Sequence, residues 1–252
     1  MIYKIINAAT LRVGGGKSVT INFLKRLFLT SSKVNYIIIL PLDQDYIDLC
    51  INLNDNYKIL FVPKYLHNPI LKPFLEFWIL KEIKKYNYKI IFNLGNYALP
   101  IQNKYQIVLF HFPYAVYPES LIWERMDLID RYRFRAMTYF FKIRLKYADK
   151  IICQTKVMEE RLKKNYYFEN TVVIPNGISL DAYLNTNETG VGKIDCLKGI
   201  DGLKLLLFSH YYPHKNFEVL IPLALKVKEN NLNYKFIITI SEMQGIGAKK
   251  LL

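Results

Sequence analysis

Leu11-Arg-Val-Gly-Gly-Gly-Lys-Ser-Val19 follows closely on the apolar opening run Ile2–Ala8. A short apolar run, a glycine-rich bend and a helix-forming segment together read as the first strand–turn–helix unit of a parallel α/β sheet. Glycines let the backbone approach a phosphate closely, and the free N–H groups at a helix start favour negative charge. Gly14, Gly15 and Gly16 are more glycine than a packing turn needs, so this bend is read as a phosphate contact. Two familiar phosphate motifs do not fit it. A P-loop ending at Gly16-Lys17-Ser18 needs glycine at position 11, which is Leu11, and a G-x-G-x-x-G run fails at Val19.

Further Ile- and Val-rich runs recur at Val34–Leu40, Lys58–Val62, Lys89–Asn93, Gln106–Phe110, Lys150–Cys153 and Thr171–Ile174. Between them the spacing predicts helices over Lys17–Leu29, Ile70–Tyr86, Glu119–Tyr147 and Val157–Asn165. This alternation predicts a doubly wound α/β domain with a largely parallel sheet over residues 1–175. Pro175-Asn176-Gly177 breaks the pattern, and a stretch holding Asn185, Asn187, Gly190, Gly192 and Gly199 reads as a linker or hinge, 176–201. A strand at Leu203–Phe208, a helix at Lys215–Glu229 and a strand at Tyr234–Ile240 then open a second α/β domain, 202–252. Pro222 is expected to kink its helix.

Charge and cysteine content narrow the partners. With 35 Lys and Arg against 21 Asp and Glu, the net charge of +14 favours anionic partners such as nucleotides, lipid headgroups or nucleic acid. Cys50, Cys153 and Cys196 are too few and too scattered for a zinc site or a disulfide framework, so no metal is expected and a reducing, cytoplasmic setting is. The basic residues are dispersed and no RNA-binding signature occurs, which argues against nucleic acid as partner.

Four stretches in order along the chain carry a family resemblance: Gly14-Gly15-Gly16; Leu109-Phe-His-Phe-Pro113; Ala148–Thr155 leading to Val173-Ile-Pro-Asn-Gly-Ile178; and Leu207-Phe-Ser-His-Tyr-Tyr-Pro-His-Lys-Asn216. Together they resemble the family 4 (group 1) glycosyltransferases of the GT-B type, which have two Rossmann-like domains. The resemblance implies transfer of a sugar from a nucleotide-diphosphate donor to the hydroxyl of a saccharide or lipid-linked acceptor, with retention and without a cofactor. It implies an acceptor-side N-terminal domain and a donor-side C-terminal one. Gly14–Gly16, His210 and Lys215 would hold the donor phosphates, with His111 and Lys215 catalytic and Asn176-Gly177 a hinge. The family's usual basic pair is an arginine and, five residues on, a lysine; here His210 stands for the arginine. The family's paired glutamates, eight residues apart, do not occur before Leu252, so the chain is expected to be a truncated form with weak or no activity.

Competing readings are a catalytically inactive glycosyltransferase-like scaffold, a P-loop ATPase and a nucleic-acid binder. On helical geometry Arg131, Arg135, Lys142 and Lys146 share one face, with Ile129, Ala136, Phe140, Ile143 and Tyr147 opposite. That basic face is a candidate for peripheral contact with an anionic membrane.

Overall fold

The computed structural model describes residues 1–30, 33–177 and 197–252. Most of the expected linker, with Asn185, Asn187, Gly190, Gly192 and Cys196, lies outside them. The chain divides into two units: Met1–Pro118 with Phe134–Ser179, and Glu119–Arg133 with Leu180–Leu252.

The first unit is a seven-stranded sheet in the order β3-β2-β1-β4-β5-β6-β7, with every neighbouring pair parallel. Its strands are β1 (Tyr3–Asn7), β2 (Asn35–Pro41), β3 (Tyr57–Val62), β4 (Tyr88–Asn93), β5 (Tyr105–Phe110), β6 (Lys150–Cys153) and β7 (Thr171–Val173). The expected strands match these to within a residue at each end. Such runs are legible because strands buried on both faces are apolar throughout. On β1 and β2, Ile5, Ile37 and Ile39 pack on one face with Leu75, Ile79 and Ile83 of α3 (Lys72–Ile83). Ile6, Ile38 and Leu40 pack on the other face with Leu24 of α1 (Gly14–Leu29) and Tyr46 of α2 (Gln44–Leu49). All of these side chains are buried.

The chain runs from β1 outward to β3, then crosses back to β4 on the other side of β1. The order reverses between β1 and β4, and the carboxyl ends of such strands form the crevice in which doubly wound sheets take ligands.

Several helical expectations need correction. The long helix expected over Glu119–Tyr147 is broken into α5 (Ile122–Arg125), α6 (Leu128–Arg144) and a 3-10 turn (Leu145–Tyr147); the short α4 (Pro113–Val116) precedes them. Met126 is extended, with φ −68° and ψ 146°, and the Asp127 carboxylate then accepts from the Asp130 amide to start α6. The apolar side of α6 also differs: its buried residues are Phe134 and Phe141, while Ile129, Ala136 and Ile143 are exposed. Phe134 and Phe141 stack on Tyr114 and Phe110, at 4.1 and 4.8 Å between ring centroids, so aromatic packing sets the helix phase. α7 (Lys156–Tyr166) begins where Thr155 caps the Met158 amide.

In the second unit, β8 (Leu203–Leu207) pairs in parallel with β9 (Tyr234–Ile238), joined by α8 (Leu220–Glu229). Tyr211, Phe217, Leu220 and Ala248 form its core. Pro222 does not kink a helix. Two 3-10 turns, Pro213–Lys215 and Phe217–Val219, replace the expected helix start, so Pro222 falls in the first turn of α8, where its missing N–H costs nothing.

Candidate active site

The three glycines form the opening turn of α1 itself, one turn earlier than the sequence suggests. Gly14 has φ +68°, a left-handed conformation that glycine adopts without a Cβ penalty. Val13 at the N-cap gives the helix no side-chain hydrogen bond, and the first turn carries no acidic residue. The turn's N–H groups therefore have no partner inside the helix and none from a capping side chain, an arrangement suited to an anion.

Lys17 is not the lysine of a phosphate cradle. Its Nζ lies 2.6 Å from Asp43 and 2.8 Å from Asp45. The hydrogen bonds that Lys17 donates to these two carboxylates raise its pKa, and the bond to Asp43 holds that carboxyl below its ordinary value. The Tyr46 hydroxyl donates to the Leu11 carbonyl at 2.6 Å, and burial pushes its pKa up to about 12. The turn is thus anchored to α2 at two points, and its one lysine is neutralised. This settles the failed P-loop match in physical terms.

His111 follows β5, and its backbone N–H donates to Asn96 Oδ1 at 2.7 Å. Its ring faces the glycine turn: a Cβ on Gly16 would stand 3.4 Å from His111 Nε2 and 3.0 Å from Leu11 Cδ2. Gly16 is therefore glycine for packing as much as for the turn. A Cβ on Gly15 would meet nothing within 4 Å, so that residue borders open space. Burial lowers the His111 pKa and keeps the imidazole neutral at pH 7, while its buried Nδ1 has no hydrogen-bond partner among the described residues. Two of the expected site elements, the glycine turn and His111, are in this way brought together at the β1/β4 switch point.

A buried polar chain beneath the site was not foreseen. Asn7 Nδ2 donates to Asn93 Oδ1 at 2.9 Å, and Asn93 Nδ2 donates to Gln106 Oε1 at 3.0 Å. Gln106 Oε1 also accepts from the Leu99 amide, and its Nε2 donates to the Leu99 and Ile101 carbonyls. These bonds fix the loop after β4 that carries Asn96. The signal was present: a polar residue inside each of three apolar strands.

His210 and Lys215 belong to the second unit, and both are exposed. The His210 ring lies 4.8 Å from Tyr212, which in turn stacks on His214 at 5.4 Å. Lys215 ends the turn Pro213–Lys215, its amide donating to the Tyr212 carbonyl. Beside it, Asn216 takes a left-handed conformation (φ +50°) and accepts from Arg125 Nη1 at 2.9 Å. Arg125 is a cation that sequence reading missed, because 91 residues separate it from its partner. Asn176 accepts from Gln154 Nε2 at 3.0 Å, and Gly177 borders open space. Of the basic face, Arg135, Lys142 and Lys146 are exposed, whereas the Arg131 guanidinium donates to the carbonyls of Glu124 and Met126.

A family model described as Glycosyltransferase Family 4 matches residues 29–182, more than half of the chain. The chain belongs to glycosyltransferase family 4. A comparison with curated proteins finds no match. Among solved structures, the chain is similar to sucrose-phosphate synthase from Thermosynechococcus elongatus, with a TM-score of 0.56 and 16% identity over 100% of this chain and 73% of that one. It is also similar to Phytolacca americana UGT2 complexed with UDP-2fluoro-glucose and pterostilbene (TM-score 0.46, 13% identity, 96% and 72% covered). A third is the apo form of the lipopolysaccharide outer core galactosyltransferase WaaB (0.49, 12%, 98% and 72%). At these identities only the fold is shared, and the first of the three carries that statement. The family 4 transferase has the GT-B-type α/β architecture that the four motifs implied.

Proposed function

We propose that this glycosyltransferase moves a sugar from a nucleotide-diphosphate donor to an acceptor hydroxyl with retention, the first unit taking the acceptor. The observation that carries the reading is the neutral His111 imidazole set against the uncapped glycine turn. A turn of amide N–H groups suits a phosphate, and a neutral imidazole suits a sugar hydroxyl, to which its Nε2 can act as donor or as acceptor. The second unit supplies exposed Lys215 and His210 for the diphosphate, and Asn176-Gly177 serve as hinge. His210 in the arginine's place removes a fixed charge, so slow turnover is part of the proposal. The same substitution favours a second reading, a transferase-like partner without activity.

Protection and turnover decide between them. UDP or GDP should raise the melting temperature, radiolabelled sugar should transfer slowly, and His111→Ala should abolish transfer while nucleotide protection persists. Nucleotide protection without any transfer from UDP- or GDP-sugars supports the inactive partner; absence of both refutes the proposed activity. Exposed Arg135, Lys142 and Lys146 further support docking on anionic lipid. Flotation with phosphatidylserine vesicles, lost in high salt, is the expected result, and no flotation at low salt refutes it.

A further inference from the structure

A second feature lies on the α3 side of the same switch point. Residues after β1 (Thr10) and after β4 (Gly95, Tyr97) line, with Lys72 and Glu76 of α3, an open cavity of about 30 Å³. The two strand ends approach so closely that a Cβ on Gly95 would stand 2.7 Å from Thr10 Oγ1. Gly95 and Tyr97 flank Asn96, whose side chain holds the His111 amide, so the cavity and His111 share one loop.

Its chemistry is unbalanced. Lys72 Nζ lies 4.2 Å from the Tyr97 ring centroid and 4.1 Å from that of Phe140. Ring faces attract a cation, but they do not replace a counter-ion. Burial lowers the Lys72 pKa, and among the described residues no carboxylate lies within ion-pair distance of it. The nearby carboxylate, Glu76, is bound instead by Arg144. The three charges therefore leave one positive charge over, in a setting where an unmatched charge is costly. The Tyr97 hydroxyl is buried on the same cavity and has no hydrogen-bond partner among the described residues. An ammonium and an idle phenol O–H on two residues that line a small cavity together form a donor pair for an anion.

We propose that this cavity binds an oxyanion, a phosphate or carboxylate, carried by the sugar acceptor, with Lys72 as counter-ion and Tyr97 as hydrogen-bond donor. Only the word acceptor rests on the transferase reading; the oxyanion site stands on its own geometry. The acceptor would then be an anionic molecule, its charged group seated on the α3 side and its hydroxyl directed along the loop toward His111.

The full chain is titrated with inorganic phosphate, glycerol 3-phosphate, glucuronate and neutral glucose, following the amide signals of Gly95, Asn96 and Tyr97 by nuclear magnetic resonance. The expected result is saturable shifts with at least one anion and none with glucose. Preference for glycerol 3-phosphate or for glucuronate identifies the group as phosphate or carboxylate. Lys72→Met should weaken binding about tenfold or more. Tyr97→Phe, which keeps the ring beneath Lys72, should weaken it about threefold. Lys25→Met, an exposed residue on α1, should leave it unchanged. If Lys72→Met does not fold, Tyr97→Phe and the titration of the unsubstituted chain still decide. No saturable binding of any anion into tens of millimolar, or equal affinity in Lys72→Met, overturns the proposal. Anion binding without sugar transfer leaves the site standing and removes the transferase reading. Transfer indifferent to Lys72→Met removes the site and leaves the transferase.

Discussion

Gln106→Leu is the most informative single change in the first unit. Gln106 is fully buried and its side chain makes four hydrogen bonds: it accepts from Asn93 and the Leu99 amide and donates to the Leu99 and Ile101 carbonyls. Leucine fills a similar volume, so the substitution removes polar pairing without opening a large cavity. Each lost bond costs about 1 kcal/mol net, and more where its partner stays buried and unpaired. Ile101 is half-buried and can turn to water, whereas Asn93 Nδ2 and both Leu99 groups are enclosed. The expected destabilisation is about 3–4 kcal/mol, a large fraction of the roughly 5–15 kcal/mol by which domains are stable. Urea unfolding followed by circular dichroism measures it, with a lower midpoint at unchanged slope. Because the same bonds fix the loop holding Asn96, the His111 ring signals should also broaden or move in the folded variant. A loss below about 1 kcal/mol, with His111 unmoved, would refute the view that this polar chain supports the site.

Three other expectations follow from single contacts. Gly16→Ala should destabilise by about 1–2 kcal/mol by forcing Leu11 and His111 aside, whereas Gly15→Ala should be neutral or slightly stabilising; equal urea midpoints would contradict the contact geometry. On the acid side, hydrogen bonds from Thr171 and then Lys156 hold the Glu159 carboxyl near about 2, and the bond from Lys17 lowers that of Asp43. A carboxyl depressed on folding stabilises above its unfolded pKa and loses that contribution as pH falls through the folded one. Stability should therefore decline from about pH 4.5 to about 2, and Glu159→Gln should flatten that decline in pH-dependent urea titrations; an unchanged slope would contradict it. Finally, burial pushes the Cys50 and Cys153 thiols up to about 11, so in the native chain both should resist alkylation at pH 7.5, which peptide mapping reads directly.

The seven strands were legible because each is a short run of Ile, Val, Leu or Phe with no competing helical period. The phase of α6 was not, since Ile129, Ala136 and Ile143 form a plausible apolar stripe. The helix turns instead on Phe134 and Phe141, whose ring partners Tyr114 and Phe110 come from elsewhere in the chain. The break at Met126-Asp127 was hidden for a related reason, the capping carboxylate being one of several acidic residues in a helical pattern. At the site, the glycine turn and His111 could be named because chemistry-bearing residues stood at strand ends. Lys72 and Tyr97 could not: one opens a helix and the other sits in a loop, and only folding places the ammonium over the ring.

The electrostatics of the first unit bear on the reaction proposed for it. Lys17 is neutralised by Asp43 and Asp45, and burial keeps His111 uncharged, so the glycine turn and His111 offer dipoles rather than net charge. Loss of a diphosphate from a sugar leaves positive charge developing at the anomeric carbon and negative charge on the departing oxygens. A cation beside the sugar would help the second and oppose the first. Oriented amides at the turn can stabilise the phosphate oxygens, while a neutral imidazole accepts or donates at the sugar without repelling the developing positive charge. On the proposed reading, the burial that keeps His111 uncharged is the property that would suit it to stand beside a reacting sugar, and a protonated His111 would work against that step.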